Sequence, residues 1–384
     1  MPLGFRGNLS SWCWSFSGPR MTSNSPATPT LPQRVSAMPR IPCSSAGKDF
    51  SLTSSSAVVA GDSDCFWKPE LTPAEIAACK EAFDAINWKL ETPESIYREF
   101  SSLRLSSLPK RELIGKFKAA ASNACYNKDR YSDVLPFDET RVILRKTKES
   151  DSDYINANFV ESPAFGHSFI ATQGPLKTTI ADFWEMVMQQ RCPAIIMLTS
   201  LVHGSLDKCA PYFPPAANEQ QVYGRLRVTN KGLGHSSHSI TKRVFEVQPV
   251  ELTQEPPLCV LHLEYLHWPD HGVPAYTRPI RELYRCISTI PDDAGPIVVH
   301  CSAGIGRSGA YIGIDQTLRR ILKGDLTAVN LQDTVMRLRD HRYGMVQTKA
   351  QYHFIYAAVL DELQDLIQTG DCESSAQTEQ CLKK

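Results

Sequence analysis

The sequence predicts a single α/β domain in which a twisted mixed sheet is flanked by helices. The chain has 384 residues and 42% of them are hydrophobic, which is enough for one large core. From about residue 168 onward, short β-branched runs alternate with longer runs of helical periodicity. Such alternation is typical of a sheet covered by helices. The Ser- and Pro-rich start of the chain predicts a disordered tail before the domain.

Two segments are expected to lie outside this domain. Residues 1–68 are rich in Ser, Pro and Thr and lack hydrophobic periodicity, which predicts the disordered tail. This segment has no acidic residue before Asp49, a feature also typical of an organellar transit peptide. We favour the plain tail, because residues 1–16 are only weakly amphipathic and Pro-rich segments follow. The polar residues 371–384 are predicted to form a flexible C-terminal tail.

The ordered domain is predicted to begin with helices. Thr72, Pro73 and Glu75 supply the N-cap, the first-turn proline and the capping-box carboxylate of a helix start. This helix covers residues 72–90, and the same Thr-Pro-x-Glu pattern starts a second helix at residue 92. Later helices are predicted at 109–120, 179–190, 277–288, 307–324, 330–342 and 349–368. Strands are predicted at 168–173, 194–200, 242–252, 258–268 and 296–301.

Composition argues against several classes of protein. The 41 basic and 41 acidic residues balance, so nothing indicates bulk binding to nucleic acid. The longest apolar run, residues 192–202, is too short to span a membrane and predicts a buried strand. The 12 cysteines form no CxxC pair and no regular ladder, which argues against a zinc site and a disulfide scaffold. Free thiols persist in reducing compartments, so we expect the protein in the cytoplasm and also in the nucleus, with an organelle as the alternative.

One stretch, HCSAGIGRSG at residues 300–309, combines a strand end, a glycine-containing loop and a helix start. Residues 296–300 form a β-branched strand, and Tyr311 and Ile314 lie at helical spacing after the loop. The backbone N–H groups of such a loop converge on an anion, and the helix dipole adds positive potential. Arg307 adds a planar fork that can hold two phosphate oxygens. The stretch therefore predicts a phosphate site.

Cys301 begins this loop, where the same positive field acts on its thiol. A free cysteine titrates near pH ~8.5, and a helix N-terminus with nearby cations lowers that pKa strongly. The thiolate is the nucleophile, so a site that binds phosphate also activates the sulfur, and Ser308 is placed to hydrogen-bond it. A rhodanese-like or arsenate-reductase-like loop is an alternative. A merely buried cysteine is another, but it leaves His300 and Arg307 unexplained.

The run His, Cys, five residues, Arg and Ser resembles the signature of the protein tyrosine phosphatase family, in its phosphotyrosine-specific non-receptor branch. The resemblance extends over nearly the whole ordered chain and is closest to plant members, in segments such as DFWEMV and AIIMLT. It implies one phosphatase catalytic domain at residues 69–370, which hydrolyses phosphotyrosine in proteins without a metal or other cofactor. Two further matching segments, residues 153–160 and 169–176, are expected to be scaffold that braces the site.

The resemblance implies a mobile acid loop at WPDHGVP, residues 268–274. A phenolate leaves slowly at neutral pH unless it receives a proton, and Asp270 fits the role of donor. In the second step the same carboxylate is expected to act as a base on water. By itself, Trp-Pro-Asp predicts only a turn between a strand and a helix. Its place 31 residues before Cys301, as in the family, favours the catalytic role.

Two other segments resemble the family's substrate and water loops. In residues 127–142, Tyr131 is expected to stack on the phosphotyrosine ring and Asp133 to accept hydrogen bonds from the substrate backbone. A pocket of that depth excludes phosphoserine and argues against a dual-specificity or phosphoinositide phosphatase. In GMVQTKAQYHF, Gln347 is expected to orient the hydrolytic water and Gln351 to assist. Without the resemblance, these segments would be interpreted as a charged surface loop and a solvated helix.

Three departures from the family pattern stand out. Asp129 replaces the usual Asn and is expected to weaken a structural hydrogen bond. Residues 201–215 lack the glutamate that usually pairs with the signature arginine, and Phe213 replaces Trp, so Arg307 is expected to be held less firmly. His271 stands where many members have Phe, which we treat as variation. An active enzyme of modest rate is expected, because the nucleophile, the acid and the phosphate ligands are all present.

The resemblance assigns a role to each residue of the site. Catalytic roles fall to Cys301, Arg307, Asp270, Ser308 and Gln347. Substrate binding falls to Tyr131, Asp133, Ser302, Ala303, Gly304, Ile305, Gly306 and Gln351. The expected partners are phosphotyrosine-containing proteins in signalling, including protein kinases. The protein is expected to be a monomer. The Cys301 thiolate is expected to be sensitive to oxidation. A catalytically inactive phosphotyrosine-binding module is the alternative from another class, and such a module normally lacks the Cys, the Asp or the Arg.

Overall fold

A computed structural model describes residues 70–105, 113–122, 127–146, 152–162, 166–234, 240–251 and 256–382. The predicted disordered tail, residues 1–68, lies outside these ranges. The helices are α1 Pro73–Leu90, α2 Pro93–Leu105, α3 Lys118–Ser122, α4 Ile180–Gln189, α5 Arg278–Ile287, α6 Gly306–Leu322, a 3-10 helix Leu326–Val329, α7 Leu331–His341 and α8 Lys349–Leu382. The strands are β1 Arg141–Ile143, β2 Tyr154–Val160, β3 Phe169–Thr172, β4 Ala194–Met197, β5 Val202–His203, β6 Leu206–Asp207, β7 Gln220–Tyr223, β8 Leu226–Gly234, β9 Ile240–Pro249, β10 Leu258–Tyr265 and β11 Ile297–His300.

Nine of these strands form one mixed sheet in the order β1-β2-β3-β11-β4-β10-β9-β8-β7. The four neighbours β3, β11, β4 and β10 run parallel to one another, and the flanking strands are antiparallel. Strands β5 and β6 form a separate hairpin. The carboxyl ends of parallel strands meet at one edge of a sheet, and ligands bind in α/β folds beyond that edge. The central four strands therefore define where a site can be built.

The central strands are buried on both faces, as their continuous apolar runs require. Along β11, Ile297 and Val299 belong to a core shared with α1, α2, α5, α6, α7 and α8. Val298, between them, points into a second core on the opposite face, which contains α4. Each fully buried Val or Ile side chain stabilises the fold by about 1.5–3 kcal/mol relative to exposure. This burial holds the nucleophile-bearing strand rigidly in the middle of the molecule.

The first helix begins at the capping box that the sequence predicts. The Thr72 hydroxyl accepts a hydrogen bond from the Glu75 N–H at 3.3 Å, and the Glu75 carboxylate accepts one from the Thr72 N–H at 2.8 Å. The two bonds satisfy backbone donors that a helix start otherwise leaves unpaired. Ala78, Ala82 and Ile86 lie on the buried face. Helix α1 thus begins where its local sequence dictates.

The predicted fold class, a mixed sheet flanked by helices, is confirmed. The sequence missed β1, β2 and the strands from β5 to β8. Strands β1, β5, β6 and β7 have four residues or fewer, β2 interrupts its apolar residues with Asn156 and Asn158, and β8 contains Gly232 and Gly234. Helix α8 was expected to end at residue 368 but continues to Leu382. The flexibility of residues 371–384 and the domain limits 69–370 stay predictions.

Candidate active site

Cys301 follows β11 at the centre of the parallel edge, and residues 301–307 form a tight loop that leads into α6. We call these residues the phosphate loop. Gly304 has a φ of +75°, a left-handed conformation that glycine adopts without steric cost. A Cβ at this position would also collide with the backbone of Thr172 on β3. Glycine is therefore required here by the backbone conformation and by the close approach of the neighbouring strand.

The carbonyl oxygens of the phosphate loop are bound from outside the loop. The buried Arg342 guanidinium donates to the oxygens of Gly304 at 3.0 Å and Ala303 at 3.1 Å. The backbone N–H of Gly174 donates to the Ser302 oxygen at 2.9 Å. In a planar trans peptide the N–H points opposite to the C=O. Because these carbonyls point outward, the N–H groups of the same peptides point into the loop, where an anion would lie.

The Cys301 sulfur lies within this ring of N–H groups, and the residue is only 2% exposed. The Gly304 N–H donates to the sulfur at 3.2 Å. Burial alone raises the pKa of the Cys301 thiol, but the Arg307 charge and the hydrogen bonds facing the sulfur outweigh it, so this pKa is lowered. The Ser308 hydroxyl faces the sulfur but has no partner at full hydrogen-bond geometry among the described residues. We therefore attribute the lowering chiefly to Arg307 and the backbone amides.

Asp270 lies over the loop and is held by two cations. The Arg307 guanidinium donates to one carboxylate oxygen at 2.6 Å, and the Lys208 ammonium lies 2.6 Å from the other. Burial favours the neutral acid, yet the Lys208 hydrogen bond and the Arg307 charge prevail, so the pKa of Asp270 is lowered. Arg307 also donates to the Trp268 carbonyl at 3.1 Å. The predicted nucleophile, phosphate ligand and acid thus meet at one place.

Residues 127–142, which we call the aromatic loop, and residues 344–354, which we call the glutamine loop, reach the same place from two other sides. The Tyr131 hydroxyl lies 2.9 Å from the Ser302 hydroxyl, whereas Asp133, two residues further along the chain, is exposed. Gln347 and Gln351 approach Gly306 so closely that a Cβ there would collide with the amide oxygen of Gln347. The Gln351 amide oxygen also accepts from the Gln347 N–H at 2.9 Å. All the predicted site residues except the outlying Asp133 therefore touch or adjoin the phosphate loop.

The structure does not show the weaknesses expected from Asp129 and from the missing glutamate in residues 201–215. Asp129 accepts hydrogen bonds from the Tyr154 hydroxyl at 2.6 Å and the Asn156 amide at 2.8 Å, so this carboxylate is well bonded. Arg307 is 6% exposed and is held by Asp270 and the Trp268 carbonyl. The acid loop therefore supplies the carboxylate that the hairpin segment lacks.

Three basic residues of the site were given no role by the sequence analysis. Lys208 holds Asp270, and Arg342 holds the phosphate loop. Arg130 donates to the carbonyls of Gly174 at 3.0 Å and Asp207 at 2.8 Å, which ties the aromatic loop to the hairpin. Arg130 and Lys208 lie in segments that were compared with the family, but a single cation in a loop does not by itself indicate which group it contacts.

A cavity of about 420 Å³ lies beside the acid loop. Its lining residues are Ser200, His203, Leu266, His267, Trp268, Pro269, Asp270, Val273, Ala275 and Arg307. The described ranges contain no group of three or more His, Cys, Asp or Glu side chains arranged to hold a metal ion. Among the same residues, no helix combines the length and the apolar character needed to cross a membrane.

Comparison with known proteins identifies the family. The family model described as protein-tyrosine phosphatase matches residues 125–361, which is more than half of the chain. This chain belongs to the protein-tyrosine phosphatase family. The phosphatase is 42% identical over 304 residues to the protein-tyrosine-phosphatase PTP1 of Arabidopsis thaliana, covering 78% of this chain and 88% of that protein. The plant relative agrees with the predicted resemblance to plant members.

Animal phosphatases are also similar to this chain. The phosphatase is 38% identical over 278 residues to the human tyrosine-protein phosphatase non-receptor type 20, covering 71% of this chain and 62% of that protein. It is 43% identical over 239 residues to a Lar-like tyrosine-protein phosphatase of Caenorhabditis elegans, covering 61% of this chain and 10% of that protein. The predicted family, the hydrolase class and the dephosphorylation of phosphotyrosine are confirmed.

Proposed function

We propose that the phosphatase hydrolyses phosphotyrosine in two steps, through a cysteinyl-phosphate intermediate on Cys301. The observation that carries this mechanism is the position of the thiol inside a ring of backbone N–H groups, with Arg307 and Asp270 beside it. In the first step the thiolate attacks phosphorus, and an S–P bond forms as the P–O bond to the phenol breaks. Asp270 gives its proton to the departing phenolate oxygen. Loop amides and Arg307 stabilise the charge on the equatorial oxygens.

Substrate binding prepares Asp270 for its role as the acid. In the free protein Arg307 and Lys208 lower the pKa of this carboxyl. A bound phosphate takes the Arg307 guanidinium for itself and brings negative charge close to the carboxylate. Both changes raise the pKa of Asp270, so the group takes up a proton as the substrate arrives. In the free protein, the ion pair between Asp270 and Arg307 thus keeps the acid loop over the site. The phosphate of the substrate replaces Asp270 in this ion pair.

In the second step, water attacks the phosphorus of the intermediate. Gln347 and Gln351, which adjoin Gly306, orient this water. Asp270, now ionised, takes a proton from the water as the S–P bond breaks. The products are inorganic phosphate and the regenerated Cys301 thiolate, so no external electron donor is needed. Ser308 stabilises the leaving sulfur.

The pocket selects phosphotyrosine by its depth. Tyr131 forms one wall, and its hydrogen bond to Ser302 sets the distance from the rim to the loop. The ring of the substrate stacks on Tyr131, and the exposed Asp133 accepts hydrogen bonds from the substrate backbone. A phosphoserine or phosphothreonine side chain is too short to reach the sulfur from that rim. The buried Cys301 supports this selectivity.

The proposal extends to the physiological setting. We propose tyrosine-phosphorylated protein kinases as substrates, a role in signalling, a monomeric state and a location in the cytoplasm and nucleus. The lowered pKa of Cys301 supports a further regulatory property. A thiolate is oxidised readily to a sulfenic acid, which thiols reduce again. Mild peroxide should therefore inactivate the enzyme, and dithiothreitol should restore it.

The test is phosphate release from matched phosphotyrosine and phosphothreonine peptides by the full chain in EDTA. Release from phosphotyrosine alone is expected, and Cys301→Ser should lower it below detection while the protein stays folded. Equal release from both peptides would favour a dual-specificity enzyme. Tight peptide binding without release by the unmodified chain would favour a binding module. Full activity of Cys301→Ser would overturn the mechanism.

A further inference from the structure

We infer that His262 is a positioning residue for the phosphate loop. It acts through Tyr212 on His300, the residue that precedes Cys301. The inference deepens the proposed function, since it rests on Cys301 being the nucleophile. It concerns a buried histidine on β10 that the mechanism above does not use.

The three side chains form a continuous hydrogen-bonded row across the sheet. The Tyr212 hydroxyl lies 2.8 Å from Nε2 of His262 and 2.8 Å from Nε2 of His300. Strand β4 separates β10 from β11, and Tyr212 lies over it, with its hydroxyl 3.8 Å from the Met197 sulfur. All three members of the row are fully buried. The rings of Phe213 and Phe245 pack against His262, so this side chain is in apolar surroundings.

Each hydrogen in this row has only one possible place. Nδ1 of His300 lies 3.3 Å from the Cys301 carbonyl, which can only accept, so this nitrogen carries a hydrogen. Nε2 of a neutral His300 is then bare and accepts the hydroxyl hydrogen of Tyr212. The Tyr212 oxygen therefore accepts from His262, whose hydrogen must be on Nε2.

An independent observation agrees with this assignment. Nδ1 of His262 is buried and has no hydrogen-bond partner among the residues that the structure describes. With the hydrogen on Nε2, this nitrogen is a bare lone pair, which costs less than a buried N–H without an acceptor. In the opposite tautomer, Nδ1 of His262 would be a buried N–H without an acceptor. The single hydroxyl hydrogen of Tyr212 would also face two ring nitrogens that both lack a hydrogen. Burial keeps both rings neutral, since it lowers the pKa of His300 to about 4 and that of His262 well below its ordinary value.

The row ends at the peptide bond that carries the first N–H of the phosphate loop. His300 holds the Cys301 carbonyl, so the Ser302 N–H points to the opposite side, toward the anion. Hydrogen bonds aligned in one direction polarise one another. Without the His262 donor, the Tyr212 hydroxyl can turn to the Met197 sulfur and accept from His300 instead. That reversal leaves a bare nitrogen against the Cys301 carbonyl and loosens the loop around the thiolate.

The test uses the full chain and two measurements that need no phosphotyrosine. One is the ¹⁵N chemical shift of each His300 ring nitrogen, which reports the tautomer. The other is the rate of Cys301 alkylation by iodoacetamide as a function of pH, mapped by mass spectrometry. In His262→Phe we expect a mixed His300 tautomer and alkylation about three- to tenfold slower at mildly acidic pH. His262→Gln keeps an N–H donor and should restore both values.

Two further variants separate positioning from mere packing. In Tyr212→Phe the hydrogen of His300 should stay on Nδ1, because no hydroxyl is left to accept from Nε2. The double variant should be no worse than Tyr212→Phe alone, because the row is already broken. His167→Phe removes another fully buried histidine, which contacts Arg319 and Ile290 instead, and should lower Tm only. The charged neighbours Arg243 and Glu264 pair with each other and are the same in every variant.

The outcomes distinguish this inference from the mechanism beneath it. If His262→Phe lowers Tm but leaves the His300 shifts and the alkylation profile unchanged, His262 is only a packing residue and the inference is wrong. Additive effects in the double variant would also overturn it. If Cys301 of the unmodified chain were alkylated with the pH profile of an ordinary thiol, the proposed nucleophile would be contradicted. The inference about His262 would then fail as well.

Discussion

Buried cysteines of this phosphatase differ in charge because their neighbours differ. Burial raises the pKa of Cys209 to about 12 and that of Cys79 to about 11. Cys301 is just as inaccessible, but the Arg307 guanidinium and the Gly304 N–H face its sulfur and lower the pKa. In a dry site these nearby charges and dipoles act at short range with little screening. The local cation decides which thiol is a nucleophile.

The first prediction is selective alkylation of Cys301. The reactive thiolate forms as the pH rises through the pKa, so a lowered pKa gives alkylation at pH values where an ordinary thiol, with a pKa near ~8.5, is still neutral. At pH 6–7, iodoacetamide should modify Cys301 at least about tenfold faster than Cys79 or Cys209, as measured by peptide mass spectrometry. Arg307→Ala should abolish the difference. Comparable rates in the unmodified protein would contradict this account.

The second prediction concerns Asp270 and pH. As the acid it must be protonated, so kcat/KM should fall as the pH rises through its pKa. In the free protein the Lys208 and Arg307 charges lower that pKa against the effect of burial, so kcat/KM should fall at a lower pH than kcat, whose fall reports the pKa that the bound phosphate raises. Asp270→Asn should lower kcat by about 10²–10⁴ and remove the alkaline fall. Steady-state kinetics on a phosphotyrosine peptide would show this, and an alkaline fall that survives the substitution would rule out Asp270 as the acid.

At the scale of elements, the phosphate loop depends on donors that other segments supply. Arg342, which follows α7, bonds to two loop carbonyls and to the side-chain oxygens of Asn156 and Asn158 on β2 at 2.7 Å. Burial lowers its pKa to about 10, which still leaves it charged at neutral pH. One buried guanidinium therefore joins a helix end, a strand and the loop that holds the anion.

The third prediction follows from this arrangement. Arg342→Lys replaces a planar fork with a single ammonium that cannot reach four acceptors. Each buried acceptor left without a donor costs about 1–3 kcal/mol, so the free energy of unfolding should fall by roughly 3 kcal/mol or more. Affinity for vanadate, which probes the loop N–H groups, should fall as well. Urea unfolding and inhibitor titration would measure both, with Arg337→Lys on the solvent side of α7 as the matched control. Unchanged vanadate affinity would show that the loop keeps its shape unaided.

At the scale of the molecule, the sheet topology assembles the site. Strands β3, β11, β4 and β10 are parallel, so the segments that leave their carboxyl ends meet at one edge. Those segments are the phosphate loop after β11, the acid loop after β10 and the stretch from Gln173 after β3. Each loop begins at the end of a largely buried strand, so the sheet holds its base in place. The scaffold thus positions residues that are far apart in the chain.

The fourth prediction concerns the domain limits. All described site residues lie within residues 127–351, and α1 closes the core by packing against α8. A chain that begins at residue 69 should therefore fold and keep kcat/KM within roughly twofold of the full chain. Tm and phosphotyrosine-peptide hydrolysis of the two chains would be compared. A tenfold loss would assign the first 68 residues a part in the active enzyme.

The sequence by itself determined the elements whose information is local. The strand, loop and helix around Cys301 are contiguous, so residues 296–321 alone specify a thiol at a helix start with an arginine one turn away. The capping box at Thr72 is local in the same sense, and its helix begins as predicted. The matching of further loops to known family motifs supplied Asp270, Tyr131 and Gln347.

Only the tertiary structure decided which groups support that loop. The carbonyls of residues 301–304 need donors, and nothing in the local sequence says that Arg342, Gly174 and His300 provide them. The same holds for the Lys208 bond to Asp270 and for the two hydrogen bonds to Asp129, where local comparison predicted weakness. The physical reason is that a hydrogen bond depends on the distance between two atoms in space, which the sheet order sets and sequence spacing does not.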